Sequence, residues 1–259
     1  MGLPVRLGLL RALLQELSVD TGKPLAVGGA RELAGVLRRE LAREAKPGGV
    51  RSDDSPEGAA VLVYILAHEP SPEDEAALAR ARRARVPIVA LAGRDELAIP
   101  HVLATDVVPI RPGQGFPLEE IARVIAARLG EEAAPLAARV PLLRRAVGGQ
   151  LIAAFSRKNG LVGAAVFVPG ADLPVLTLNQ LRLLLRLEQA YGLEVGPRER
   201  LPELAATLVA GLGLRELARK LLDRVPVAGW AVQSAVAYAA TRALGEAAVR
   251  RLEAAPGRH

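Results

Sequence analysis

The glycine pair Gly28-Gly29 follows a short apolar run, Leu25-Ala26-Val27, and precedes a helical pattern, the place where a nucleotide-binding α/β domain carries its phosphate loop. That loop needs G-x-x-x-x-G-K-[S/T], because backbone amides cradle the phosphates, the lysine neutralises them and the hydroxyl ligates magnesium. From Gly28 the chain reads Gly28-Gly29-Ala30-Arg31-Glu32-Leu33-Ala34-Gly35, without the second glycine, the lysine or the hydroxyl at their positions. Glu32 also sets a negative charge against any phosphate. Asp95, in Ala92-Gly93-Arg94-Asp95, stands where a guanine-reading [N/T]-K-x-D loop would hold the base edge, again without its asparagine and lysine. Gly28, Gly29 and Asp95 are at most a vestigial nucleotide site, and a glycine pair after a strand serves equally as a plain turn.

Asp172 is the other residue that could do chemistry. It lies between Pro169 and Pro174 in an apolar stretch, where an acid must be solvated, paired or capping. Its place ahead of the helical run that holds Gln180 suits an N-cap. Pairing with Arg182 or Lys158, and a catalytic or transport role, are the alternatives. No second carboxylate or histidine is near it in sequence, so general acid–base chemistry has little support. With no cysteine and only His68, His101 and His259, thiolate sites, disulfides and a histidine metal cluster find no residues. No catalytic constellation stands out, and neither a cofactor nor a metal is expected.

The elements that must position these residues fall into two halves. Residues 25–27, 59–67, 86–91 and 102–110 read as strands, the second a continuous apolar run of the kind buried on both faces of a parallel sheet. Between and after them, residues 31–45, a segment opened by Ser71-Pro72-Glu73-Asp74, and residues 118–129 have helical spacing. The alternation predicts an α/β fold with an open, mainly parallel sheet, whose ligands would sit at the carboxyl ends of the strands. From residue 135 the strand signals fade, apart from Val166-Phe167-Val168, and helices are expected over 135–157, from 173 or 177 to 191, over 201–222 and over 226–252. Gly192 takes a C-cap role for the second of these. The expected domains are an N-terminal helix at 1–23, an α/β domain at 24–132 and an all-helical domain at 135–254.

The net charge of +6 is uneven: residues 139–259 carry 17 basic and 9 acidic side chains, a net +8, while residues 1–138 carry 17 and 19, a net −2. A basic, apolar, helical half favours anionic surfaces, lipid head groups or nucleic acid, while scattered arginines on helix surfaces are the plainer account. Residues 1–15 lack the pattern of a secretory signal, so a cytoplasmic location is expected. Residues 159–171 and 225–241 are apolar but short for a membrane span, which needs about 20 residues. A soluble bundle, peripheral attachment and hairpin insertion therefore all stay open for the helical half. Trp230 is either an interfacial anchor or a core residue.

Two resemblances follow from particular residues. Residues 24–130 resemble a shrunken, degenerate Era-type GTPase domain, through Val86-Pro-Ile-Val-Ala-Leu-Ala-Gly-Arg-Asp95 and the segment P-G-Q-G-F-P-L-E-E-I from Pro112. This resemblance implies a P-loop-like G-domain scaffold without hydrolysis. Residues 150–254 resemble the bacterial domain-of-unknown-function family 697, through V-P-G-A-D-x-x-x-L-x-x-x-Q-x-x-L (Pro169, Asp172, Gln180), Tyr191-Gly192, V-P-V-A-G-W (Pro226, Gly229, Trp230) and T-R-A-L-G (Thr241, Gly245). That family is often attached to Era-like domains, some members have predicted membrane helices, and the resemblance implies a fold and no reaction.

The expectation is a non-catalytic adaptor, a pseudo-GTPase-like module joined to a helical domain that docks on a protein partner or the inner membrane face. The alternative is a GTP-binding protein whose phosphate loop has diverged. Nucleic-acid binding through the basic half is a third, disfavoured reading.

Overall fold

The fold is seen in a computed structural model that describes residues 22–51, 53–93, 99–111, 113–165, 173–193 and 229–254. These residues form two compact units. One takes residues 22–150 with 190–192, and the other takes residues from 151 to 189, 193 and 229–254.

In the first unit, strands β1 (Leu25–Gly29), β2 (Val61–Leu66), β3 (Ile88–Ala92) and β4 (Val107–Pro109) form a parallel sheet in their chain order. Leu25 stands beside Val61, Leu62 beside Ile88 and Ala90 beside Val107. β2 is buried at every residue, as its unbroken aliphatic run requires. Its even-numbered side chains Leu62, Tyr64 and Leu66 join Ala26, Ile88, Ala90 and Ala92 in a cluster with Leu78 and Ala81 of helix α2 (Pro72–Arg83). Ala34, Leu37 and Leu41 of α1 (Arg31–Ala42), and Ile121 and Ile125 of α3 (Leu118–Leu129), are buried apart from that cluster. The equally buried odd-numbered residues Leu25, Val27, Val63, Ile65, Val89 and Leu91 are left to them.

The sheet's two edges are closed in different ways. At β1, Leu25 donates to Gly49 O at 2.9 Å and accepts from Arg51 N–H at 2.8 Å, and the Arg38 guanidinium donates to Val27 O at 2.7 Å. At β4 the strand is only three residues long and ends in Pro109, which has no N–H to offer. The strand expected over 102–110 is therefore corrected: residues 104–106 make a 3₁₀ turn and only Val107–Pro109 pair. In that turn Asp106 is buried and meets Arg128 of α3 at 3.2 Å, which ties the turn to the last full turn of that helix. The helix expected over 31–45 stops at Ala42. α2 begins where expected, because Ser71 and Asp74 form a reciprocal capping box around Pro72.

After α4 (Ala133–Arg139) comes α5 (Arg144–Ala165), whose residues from Leu151 onward belong to the helical unit together with α6 (Leu173–Ala190) and α7 (Gly229–Ala254). α6 is buried around much of its circumference, at Leu176, Leu183, Leu184, Leu185 and Leu187. α5 and α7 run close together and antiparallel. A Cβ on Gly163 would stand 3.0 Å from Gln233 O, and one on Gly245 would stand 2.6 Å from Ile152 Cγ1. Glycine is what lets the two helices approach this far. No described helix is long and apolar enough to cross a membrane. The N-terminal helix, residues 166–168 and the helix expected over 201–222 lie outside the described residues.

Candidate functional site

The carboxyl end of β1 is where sequence placed a vestigial phosphate site. Gly29 has φ +93°, in the left-handed region, and a Cβ there would lie 2.1 Å from Ile65 O. The next amide, on Ala30, donates to the same Ile65 carbonyl at 2.9 Å. Thus one backbone donor of this turn, the Ala30 amide, continues the ladder to the neighbouring strand and is not free to face a ligand. Gly28 faces the Tyr64 ring, 3.2 Å from an added Cβ, and Asp54 Cβ, at 3.4 Å. With the described strands in chain order, β1 is an edge strand and no reversal of order opens the crevice that usually holds ligands in such sheets.

Beside the turn, the Tyr64 hydroxyl donates to Asp74 Oδ1 at 2.8 Å. Asp74 Oδ2 accepts from the Ser71 amide at 2.9 Å and the Ser71 hydroxyl at 2.7 Å. Burial, then the bond to Asp74, push the Tyr64 phenol well above its ordinary value. Burial works against the Asp74 carboxylate, yet the Ser71 and Tyr64 donors outweigh it and hold the acid below its ordinary range. A phenol held neutral is a poor nucleophile, and a low-pKa carboxylate occupied by three donors is a poor general base. This group builds the helix start. His68 is exposed, and His101 Nδ1 lies 3.1 Å from Arg82 Nη1 on the surface. Asp95 lies outside the described residues, as does His259. Among the described residues no set of side chains could hold a metal ion.

The helical unit carries the more concentrated chemistry. Asn159 of α5 donates from Nδ2 to Thr241 Oγ1 of α7 at 2.8 Å and accepts at Oδ1 from Asn179 Nδ2 of α6 at 2.8 Å. Gln180 Nε2 reaches Thr241 Oγ1 at 3.4 Å, and that hydroxyl donates to Ala237 O at 2.8 Å. All four side chains are at least nine-tenths buried, and the Ser156 hydroxyl, fully buried one turn before Asn159, has no hydrogen-bond partner. Carboxamides and hydroxyls neither titrate nor act as strong nucleophiles without a base, and among the described residues no acid, histidine or cation joins them by a hydrogen bond. The cluster can bind by hydrogen bonds or hold helices together.

Most of the sequence-selected residues in this half have architectural places. Gln180 and Thr241 belong to the buried cluster, Gly245 lets α7 approach Ile152, and Gly229 opens α7. Gly192, at φ +74°, closes α6 as Leu193 N–H donates back to Glu188 O at 3.1 Å, a Schellman-type end. Tyr191 lies near Arg144, whose guanidinium pKa is drawn down by burial and supported by Tyr191 and Glu44. Pro169, Asp172, Pro226 and the Trp230 side chain lie outside the described residues. Sequence reading missed Asn159 and Asn179; the only local signal was an amide at the head of each apolar run. Comparison with protein-family models, curated proteins and solved structures returned no match.

Proposed function

We propose that the chain is a non-catalytic interaction protein. A degenerate G-domain-like α/β module, kin to Era-type domains, is joined to a helical unit of the family-697 kind that docks on a protein partner or on the inner face of the membrane. The observation that carries this reading is the committed turn at β1: Ala30 N–H is bonded to Ile65 O, and Tyr64 and Asp54 lie against Gly28. In support, the described family-pattern residues cap, pack or cross-link helices, and their side chains offer no acid–base pair.

Calorimetric titration with GTP and with ATP, each with magnesium, tests it. The expected result is no saturable heat from either nucleotide. Saturable GTP binding that Asp95→Ala weakens would overturn the proposal in favour of a nucleotide-binding protein with a diverged phosphate loop.

A further inference from the structure

We infer that the buried Asn159–Asn179–Gln180–Thr241 cluster is a register lock, a conformational device that selects one arrangement of α5, α6 and α7. The need for it lies in the apolar pattern. On the buried side of α7, Ala237, Thr241 and Gly245 recur every four residues, and in the observed register they meet Gly163, Asn159 and Ile152 of α5. Sliding α7 by one turn leaves a small side chain, Ala237 or Gly245, opposite Asn159, and its steric cost falls on Ile152, which Thr241 or Val249 would then meet. Hydrophobic burial is non-directional and scales with area, so beyond that clash it discriminates weakly between such registers. Hydrogen bonds do discriminate. In the observed register the Thr241 hydroxyl sits where it accepts from two carboxamides on two different helices while donating to its own helix at Ala237 O.

A slide of four residues puts Ala237 or Gly245 in that place. The Asn159 and Gln180 amides then lose their acceptor where both are buried, and an unmade hydrogen bond there is costly. Asn179 extends the constraint, since its hydrogen bond to Asn159 links α6 to α7 through that side chain. A single buried asparagine fixing register in a coiled coil works on the same principle. Here the lock spans three helices, two of them consecutive and the third far along the chain.

The absence of cysteine makes the test direct. Leu161, 72 % exposed on α5, and Arg250, exposed on α7, are replaced by cysteine in the full chain, spin-labelled, and their separation is read by pulsed dipolar spectroscopy. The parent and Thr241→Ser should give one narrow distance. Replacing the cluster with Asn159→Leu, Asn179→Leu, Gln180→Leu and Thr241→Val should keep the helix content and add a second distance, displaced by about 6 Å, the rise of four helical residues. A fourfold variant that keeps the single parental distance overturns the inference. Should that variant not fold, Thr241→Val alone decides: it removes the shared acceptor at constant shape, and a distance distribution as narrow as the parent's overturns the lock.

Discussion

A glycine that serves a ligand tolerates a methyl in the free protein, whereas one that serves the fold does not. Gly29 combines a left-handed φ of +93° with a neighbouring backbone carbonyl 2.1 Å from an added Cβ, and backbone cannot swing aside as a side-chain end can. Gly29→Ala is therefore expected to cost roughly 3 kcal/mol, from strain and overpacking together. Gly28→Ala meets only the edge of the Tyr64 ring at 3.2 Å and should cost about 1 kcal/mol. Urea melts of both variants check the order, and equal losses would sink the claim that Ile65 dictates the turn. Tyr64 adds a pH signature. Its folded pKa is raised above the reference 10.0, so its contribution is complete below pH 10 and is lost as pH rises beyond it. Asp74 has the opposite sign: its folded pKa lies below 3.8, so its contribution is complete above that value and fades in acid. Tyr64→Phe should cost about 1 kcal/mol at neutral pH and flatten the fall in thermal stability above pH 10. A variant whose alkaline profile parallels the parent's would show that the phenol is not held by Asp74.

At the scale of elements, the legible features were those whose cause is local. The β2 run announces itself because both its faces are buried, and the α2 start because Ser71, Pro72 and Asp74 are contiguous and sufficient for a capping box. The α6 end is equally local, since Gly192 alone supplies the left-handed φ. What failed to show was set by distant partners. Residues 102–110 begin and end in apolar, strand-forming residues, yet pairing begins only at Val107, after a turn in which Asp106 reaches Arg128 on α3. Nothing local says that β1 is an edge strand or that Arg38, eleven residues away, covers its Val27 carbonyl. The amide cluster was least legible, because Asn159 and Thr241 are 82 positions apart. Gln180 and Thr241 were singled out only through the family resemblance, while Asn159 and Asn179 read as ordinary polar interruptions. Periodicity finds which face is buried. It does not find which buried polar groups meet.

For the whole molecule, the question that remains open to experiment is what the basic half faces. Residues 139–259 hold a net +8, and on α5 and α7 the exposed cations Arg157, Lys158, Arg242, Arg250 and Arg251 accompany the exposed Leu161. Charges of this kind act over a Debye length of about 10 Å at 0.1 M salt, so any docking on an anionic surface that depends on them weakens steeply as salt rises. The described helices give no route to insertion, since none is long and apolar enough to span a bilayer. The proposed docking on the inner membrane face therefore predicts a particular sequence of extractions. When cells expressing the full chain are fractionated, the membrane-associated portion should come off in a high-salt wash, and none should remain after alkaline carbonate. Protein that resists carbonate would place a span in segments outside the described helices and refute peripheral docking. Protein found wholly in the first supernatant at low salt would assign the basic face to a protein partner, because the electrostatic attraction to lipid would then be too weak to hold it even where screening is least.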